Sequence, residues 1–461
     1  MKKDFLLTSE CARRLYYDCA AKLPIVDYHN HLSVVDIASD RRFENITHLW
    51  ISVDPYKHRA MRILGIPERY ITGDASDFEK FEAWYGCLPR LAGNALFDWS
   101  VMEFDKVFGM ELYPFIKSAG EVWAEANEKL KDLSATKILE KFDIAYCAPC
   151  ASLVEDLSLF NKEKGICPSL RGDDIVGVNK SFVKKLEQWT NMEIVSLEAF
   201  EKAIQKRLEA FVKAGCKYSD HALDDGFDYV QDDASGSGNV RDAGNNEERF
   251  QAVLRGESLS EKDRVCLSSH ILKTLAGLYA KNGFTMQLHI GAKRSTSTRL
   301  REIAGPAGGY AAIGRCVNVK ALTNMLDDIE KGEYGLPKTL LFTLNPADNA
   351  VMSILSGSYS KDGVEAIVSQ GPAWWWCDHY QGMREMLDKL SVYGVMSTFV
   401  GMTTDSRSLL SFVRHDYFRR VLCQWIGEKV EKGVLPDDYE ILADIVTNMC
   451  YRNAAKTIGA L

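Results

Sequence analysis

Short apolar runs, each followed by a polar loop and an amphipathic segment, recur along this 461-residue chain. The eight runs are PIVDYH (24–29), DIAYCA (143–148), ICPSL (166–170), CKYSDH (216–221), TMQLHI (285–290), TLLFTL (339–344), EAIVSQ (365–370) and STFVGM (397–402). The segments between them, such as Glu261–Lys281, Asn318–Lys331 and Gln381–Tyr393, carry apolar residues at helical spacing. Eight strand–helix units in alternation predict an α/β chain folded as a (β/α)8 barrel.

A long interval separates the first run from the second. Residues 34–140 are rich in Trp, Phe, Leu and Glu at helical spacing, which predicts a helical insertion after the first strand. The predicted barrel then comprises residues 1–33 and 141–461. Because the loops that follow the strands form the active face of such a barrel, the insertion is expected to cap that face. The acidic stretch Asp224–Asn246, rich in Gly, Ser and Asn, predicts a surface loop.

Charge and composition exclude several classes of function. The net charge is −8 and no basic block stands out, which argues against a nucleic-acid partner. No apolar run approaches the ~20 residues that span a bilayer, and the opening MKKDFLLTSECARRLYY is unlike a signal peptide. Twelve scattered cysteines in a chain of this length are typical of reduced thiols in a cytoplasmic protein. Neither GxGxxG nor a Walker motif occurs, so no nucleotide cofactor is predicted.

Two of the nine histidines, His29 and His31, lie one residue apart directly after the first apolar run. Residues i and i+2 of a strand point to the same side, so both imidazoles could bind one metal ion. A transition-metal ion also favours an anionic ligand. Asp405 follows the last run, and the first and last strands of a closed barrel are neighbours. The alternatives are two polar loop histidines and a helix N-cap at Asp405, within DSRS.

Further polar and aromatic residues follow predicted strand ends. Arg171, Arg294 and Arg407 indicate an anionic ligand, because guanidinium groups bind carboxylates bidentately. His289 ends the fifth run, and the Trp374–Trp376 triplet after the seventh run offers aromatic faces that suit a sugar ring. Taken alone, each arginine is more often part of a surface ion pair. The alternatives are a buried structural histidine for His289 and core packing for the tryptophans.

Together these motifs resemble the uronate isomerases, a branch of the amidohydrolase superfamily, over nearly the whole chain. The motifs are DYHNHL (27–32), YKHRAMR (56–62), ITGDA (71–75), PSLRGDD (168–174), SDH (219–221), LHIGAKR (288–294), LPKTLLFTLNPADN (336–349), WWWCDHYQGM (374–383) and FVGMTTDSRSLLSFVRHDYFRRVLC (399–423). The resemblance implies a distorted (β/α)8 TIM barrel with a helical insertion. It also implies that D-glucuronate is interconverted with D-fructuronate, and D-galacturonate with D-tagaturonate. Members bind a single divalent metal, often zinc, and are often homo-oligomers.

The resemblance also assigns roles to residues at matching positions. The metal ligands would be His29, His31 and Asp405; the catalytic residues Asp405, Tyr56, His289 and Arg407; and the substrate ligands Arg171, Arg294, Trp374, Tyr56 and Arg407. The chain departs from the family pattern after the second strand, where CAPCASLVEDL replaces the usual TTDDP. It also has YKHRAMR in place of YKWRAMR, so no role is assigned to His58. The fourth run lacks a bridging lysine and the sixth lacks a histidine, which favours one metal ion over two.

The reaction implied is an aldose–ketose isomerisation. Proton transfer through a cis-enediol is the preferred route, and a hydride shift between the two carbons is the alternative. Candidate bases are Asp405, Tyr56 and a hydroxide held by the ion, and the sequence does not rank them. Two other functions stay open: a metal-dependent hydrolase acting on a lactone or a similar anionic substrate, and a sugar-acid binding protein without catalysis.

Overall fold

The computed structural model describes residues 3–231 and 245–460 and has the mixed helix and strand content of an α/β protein. The strands are β1 Ile25–Asn30, β2 Ile144–Ser152, β3 Ser169–Arg171, β4 Tyr218–Leu223, β5 Thr285–Ile290, β6 Ala292–Lys293, β7 Ala312–Ile313, β8 Thr339–Thr343 and β9 Val368–Gln370. Seven of them form one sheet in the order β1-β2-β3-β4-β5-β8-β9. The registered pairs from β2 to β9 are all parallel. The predicted α/β class is confirmed, while the sheet has seven strands rather than eight.

Helices fill most of the chain between these strands. They are α1 Glu10–Asp18, α2 Val34–Ala38, α3 Ile46–Trp50, α4 Pro55–Ile63, α5 Asp77–Cys87, α6 Ala95–Glu103, α7 Ala119–Leu130, α8 Ala135–Lys141, α9 Asp173–Val176, α10 Lys180–Thr190, α11 Leu197–Lys213, α12 Asn246–Arg255, α13 Glu261–Asn282, α14 Thr298–Ala304, α15 Val319–Glu330, α16 Asn349–Ser358, α17 Tyr380–Tyr393, α18 Val413–Glu431, α19 Tyr439–Thr447 and α20 Asn453–Ile458. Among the described residues, none of these helices has both the length and the apolar content needed to cross a membrane.

The chain divides into two units, and the boundary between them falls within β2. The first unit comprises Met1–Cys147, Lys293–Ile313 and Pro372–Leu461, and the second comprises Ala148–Ala292 and Gly314–Gly371.

The second unit is built on parallel strands whose apolar residues are covered by helices. One row of paired residues runs across the sheet through Leu170, Ser219, Met286, Thr339 and Val368. All six residues of β5 are buried, as expected for a parallel strand covered on both faces. The covering helix α13 begins at an N-cap, Ser260, whose side chain accepts a hydrogen bond from the backbone N–H of Asp263, and it ends at Gly283 with a φ of 69°.

The first unit contains β1 and the segment that follows the predicted eighth strand. That prediction is wrong for STFVGM (397–402): Met396–Thr398 forms a 3₁₀ turn, and residues 399–460 contain no strand. The segment 403–406 nevertheless runs beside β1, because Asp405 N–H donates to the carbonyl of His29 and His31 N–H donates to that of Ser406. The Thr403 hydroxyl also donates to the His29 carbonyl at 2.7 Å and accepts from the His29 N–H at 2.9 Å. For the His29 N–H, a side-chain hydroxyl therefore replaces the backbone carbonyl that a regular strand would supply.

Residues 34–140 contain helices α2 to α8 and no strand. Ser76 and Ser118 begin α5 and α7 with reciprocal capping boxes, which explains why these segments start where they do. Whether this segment is a separate capping domain stays a prediction. Of the predicted surface loop Asp224–Asn246, residues 232–244 lie outside the described residues, 224–231 contain no helix or strand, and Asn246 begins α12.

Asp98 of α6 gives a pH-dependent prediction. Burial raises the pKa of this carboxyl to about 6, although the Tyr417 hydroxyl donates to it at 3.2 Å. Between about pH 4 and pH 6 the folded chain therefore binds more protons than the unfolded chain, and its stability falls as the pH rises. Asp98→Asn is expected to stabilise the fold by about 1–2 kcal/mol at pH 8 and by little at pH 4. Urea unfolding at both pH values measures this, with Asp132→Asn as an exposed control. A gain independent of pH would contradict the prediction.

Candidate metal centre and active site

His29, His31 and Asp405 converge in the first unit. Asp405 Oδ1 lies 3.3 Å from His29 Nε2 and 3.0 Å from His31 Nε2. The two imidazole rings are 5.3 Å apart between centroids and nearly perpendicular. His29 lies in β1 and His31 directly follows the strand, and both rings point to the same carboxylate, as the HxH spacing predicts. The structure therefore brings the three predicted metal ligands together.

Asp405 is held in an unusual conformation. Its φ is +47°, in the left-handed region that Asp tolerates better than most residues. The indole N–H of Trp374 donates to Oδ2 at 2.8 Å, so Oδ1 is the oxygen left facing the histidines. The alternative role of Asp405 as a helix N-cap is not found, because Ser408 caps the following 3₁₀ helix Leu409–Phe412. Sequence reasoning placed Trp374 at the site, but its contact with the carboxylate was not predictable from spacing.

The carboxyl group of Asp405 is ionised in this environment. Its burial favours the protonated form, but hydrogen bonds and charge from His29 and His31 outweigh burial and hold its pKa well below the usual range. An ionised carboxylate beside two imidazoles is a donor set that zinc and other divalent first-row ions accept.

The distances at this site fit a bound ion. Ligands placed tetrahedrally at 2.0–2.1 Å from zinc lie about 3.3 Å from one another. Two of the three distances within this group, those from Asp405 Oδ1 to the imidazole nitrogens at 3.0 and 3.3 Å, match that spacing. The chemistry of the donor set, two imidazole nitrogens and one carboxylate oxygen, therefore suits a divalent metal.

Asp27, at the centre of β1, ties the 403–404 segment to the strand. Its Oδ1 accepts from the Thr404 N–H at 2.7 Å and from His415 Nε2 at 3.0 Å, and it lies 3.1 Å from Thr403 Oγ1. Its Oδ2 accepts from Asn30 Nδ2 at 2.8 Å and from Thr404 Oγ1 at 2.9 Å. Asp27 is fully buried. It therefore fixes the backbone that leads into Asp405, a role that the sequence did not reveal.

Arg414, the second residue of α18, holds the same segment from its other side. Its guanidinium donates to the Thr404 carbonyl at 3.1 Å and to Asp378 Oδ2 at 3.4 Å, and it stacks over Trp99 and Tyr56 at 4.0 and 4.7 Å. Burial raises the pKa of the Tyr56 phenol well above its usual value, so this predicted catalytic residue is neutral. Within the described residues, the Tyr56 hydroxyl and Asp378 Oδ1 are buried without a hydrogen-bond partner. Such atoms favour a water or a ligand group beside them.

His31 and Arg407 line a cavity of about 510 Å³ in the first unit. Arg407 is exposed, and His58 of α4 contributes to the wall. Burial lowers the pKa of His58, and its Nε2 has no hydrogen-bond partner within the described part of the chain. The guanidinium of Arg294, a predicted substrate ligand, lies 5.5 Å from the ring centroid of Trp375. Arg407 and Arg294 thus both belong to the unit that contains the candidate metal ligands.

In the second unit, Arg171 and His289 lie beside Asp220. Arg171, the last residue of β3, is the register partner of Asp220 in the middle of β4. Nη1 of Arg171 lies 3.5 Å from Asp220 Oδ2, its Nη2 lies 2.8 Å from Asp173, and His289 Nδ1 lies 3.8 Å from Asp220 Oδ2. Asp220 is fully buried. Asp220 belongs to the SDH motif (219–221), but no role was predicted for it. The feature that could have identified it as a site residue is an acidic side chain inside the fourth apolar run.

Parallel strands that carry His, Asp and Arg residues, with a His–His–Asp group that fits a divalent ion, define an α/β enzyme with a candidate metal centre. A family model described as glucuronate isomerase matches residues 1–458. The chain belongs to the glucuronate isomerase family and is an isomerase. It is 38% identical to the uronate isomerase of Caldanaerobacter subterraneus subsp. tengcongensis, with 100% of this chain and 99% of that protein aligned.

Other comparisons agree with this assignment. The chain is 39% identical to the uronate isomerase of Bacillus licheniformis, with 98% of this chain and 96% of that protein aligned. The crystal structure of the Thermotoga maritima uronate isomerase superposes with a TM-score of 0.89 at 27% identity, covering 99% of each chain. That of the Caulobacter crescentus glucuronate isomerase superposes with a TM-score of 0.87 at 21% identity, and it supports the fold alone.

Proposed function

We propose that this isomerase interconverts D-glucuronate with D-fructuronate, and D-galacturonate with D-tagaturonate, through a cis-enediol. Family membership supports uronate isomerase activity, and the convergence of His29, His31 and Asp405 is the observation that supports a metal-assisted site. A single divalent ion, proposed to be zinc, supplies Lewis-acid chemistry toward substrate oxygens near C1 and C2 when bound.

The remaining predicted residues receive proposed roles from their chemistry. Arg171 and Arg294 are proposed to bind the substrate carboxylate, and Arg407 to bind a substrate oxygen. Tyr56, neutral and buried, is proposed to donate a hydrogen bond to the substrate, and Trp374 to hold Asp405 and pack against the sugar. His289 is proposed as a catalytic residue that transfers a proton to or from a substrate hydroxyl, or forms a hydrogen bond with it.

We further propose that residues 34–140 cap the active face. Two contacts within the first unit support this: Tyr56 of this segment stacks on Arg414, and Ser408 donates to the carbonyl of Leu49 at 3.0 Å. We also propose a cytoplasmic homo-oligomer that acts without a nucleic-acid or membrane partner.

The test is turnover of purified, metal-replete protein with D-glucuronate, D-galacturonate and a panel of lactones. The expected result is a ketose product from the uronates, detected by NMR. Turnover of lactones alone would replace the proposal with a hydrolase. Saturable uronate binding without turnover would replace it with a binding protein.

The proposed proton transfer makes a prediction for a reaction run in D2O. When D-glucuronate is converted in D2O, one deuterium is expected at C1 of D-fructuronate, because the proton returned to C1 exchanges with solvent. Proton NMR of the product measures the label, and product incubated in D2O without protein controls for spontaneous exchange. A product without deuterium at C1 would instead indicate a hydride shift.

Arg171→Met tests the proposed carboxylate ligand. KM for D-glucuronate is expected to rise by about 10–100-fold, because a charge-assisted hydrogen bond contributes about 1.5–3 kcal/mol. Turnover of a neutral hexose analogue is expected to change little. Steady-state kinetics with both sugars measure the difference, and Arg264→Met, at an exposed position of α13, controls for loss of one positive charge. Equal losses for both sugars would show that Arg171 does not recognise the carboxylate.

A further inference from the structure

A second cavity in the first unit lies at the amino-terminal ends of β1 and β2. It measures about 570 Å³ and is lined by Leu23 and Ile25 at the start of β1 and by Phe142 and Asp143 before β2. His31 follows the opposite end of β1, about 20 Å away at 3.3 Å per residue. This cavity is therefore distinct from the candidate metal centre, and its size is typical of small-molecule sites.

The lining of this amino-terminal cavity is basic, in a chain whose net charge is −8. The charged lining residues are Lys3, Lys22, Lys106, Lys141, Arg419 and Arg420 against Asp105, Asp143 and Asp416. Arg420 and Asp416 neutralise each other, since their side chains pair at 3.0 Å. Five basic side chains then stand against two acidic ones, which leaves an excess of positive charge around the cavity.

Arg419 is the buried member of this set. Its side chain is on α18, the residue is only 5% exposed, and one guanidinium N–H donates to the carbonyl of Pro24 at 2.7 Å. Across residues 3–231 and 245–460, no carboxylate forms an ion pair with Arg419. Nor does Lys22 or Lys141 have an acidic partner there. A buried charge is costly unless it is paired, so an unpaired guanidinium at a cavity wall favours an anion inside the cavity.

We propose that this cavity binds a small, multiply charged oxyanion of the phosphate or polycarboxylate type. Arg419 provides the buried contact, because guanidinium groups bind the oxygens of both anion types. Lys22 and Lys141 add charge at the exposed rim. Phe142 and Phe412, whose rings lie 5.6 Å apart, supply an apolar wall for the uncharged part of the ligand.

Calorimetric and thermal-unfolding titrations with pyrophosphate and with citrate, at constant ionic strength and against sodium chloride, test the proposal. One saturable site per chain is expected for at least one of the two anions. The unfolding temperature is expected to rise by about 2–4 °C at a hundredfold excess over Kd. Tighter binding of pyrophosphate would assign a phosphate ligand, and tighter binding of citrate a polycarboxylate.

The double variant Lys22→Met/Lys141→Met removes two exposed rim charges without disturbing Arg419. Its affinity for the preferred anion is expected to fall at least tenfold, while its isomerase kcat/KM stays at the wild-type value. Lys184→Met/Lys185→Met, which removes two exposed charges from the second unit, is the matched control and should bind as wild type. Absence of saturable binding by either anion, or unchanged binding in the rim variant, would overturn the proposal.

Discussion

Asp405→Asn is expected to lower kcat/KM for uronate isomerisation by about 10²–10³-fold or more and to lower the bound divalent metal to a small fraction of one per chain. Both carboxylate oxygens are in use: Oδ2 accepts from the Trp374 indole, and Oδ1 faces His29 and His31. An amide keeps one acceptor oxygen and loses the negative charge, so it cannot serve Trp374 and an ion at once. Steady-state kinetics and elemental analysis of the same preparation measure the two effects.

Asp437→Asn, at an exposed position of the same unit, is the matched control and should keep both activity and metal. His29→Asn should also lose metal, because it removes a nitrogen ligand from the same group. Unchanged metal content in both Asp405→Asn and His29→Asn would show that these residues do not form the metal site.

Most strands were predictable because parallel, fully covered strands are nearly continuous apolar runs. TMQLHI coincides with β5, and TLLFTL exceeds β8 by one residue. The strand prediction for STFVGM failed because an apolar run does not reveal whether neighbouring backbone is available to form regular strand hydrogen bonds. The Thr403 hydroxyl takes the place of a backbone partner beside β1, and Gly401 adopts a φ of +104°.

Some residues of the candidate site were likewise predictable from the sequence, and others were not. His29 and His31 were predictable because strand geometry converts their spacing into a shared direction, and Asp405 because the barrel order places the chain ends side by side. The roles of Asp27 and Arg414 were not predictable, because they depend on which partners the fold brings to these side chains. Thr403, Thr404 and His415 lie 376, 377 and 388 positions from Asp27 along the chain. No local pattern encodes such contacts.

Asp27→Asn is expected to lower the free energy of unfolding by about 3 kcal/mol or more, since it disrupts a fully buried, charged acceptor. An asparagine retains one acceptor oxygen and turns an NH2 group toward donors that include the Thr404 N–H and the His415 ring. Urea unfolding measures the loss, and Asp18→Asn, at an exposed position of α1, is the control. A loss below about 1 kcal/mol would mean that the network adds little to stability.

The same substitution separates stability from positioning. Because Asp27 holds Thr404, the residue before Asp405, the folded fraction of Asp27→Asn is expected to bind divalent metal about 10–100-fold more weakly. A metal titration at a temperature where the variant is fully folded measures this affinity directly. Wild-type metal affinity in a destabilised but folded variant would assign Asp27 to the core alone. Weakened affinity would show that the buried carboxylate of β1 positions the ligand that completes the metal centre.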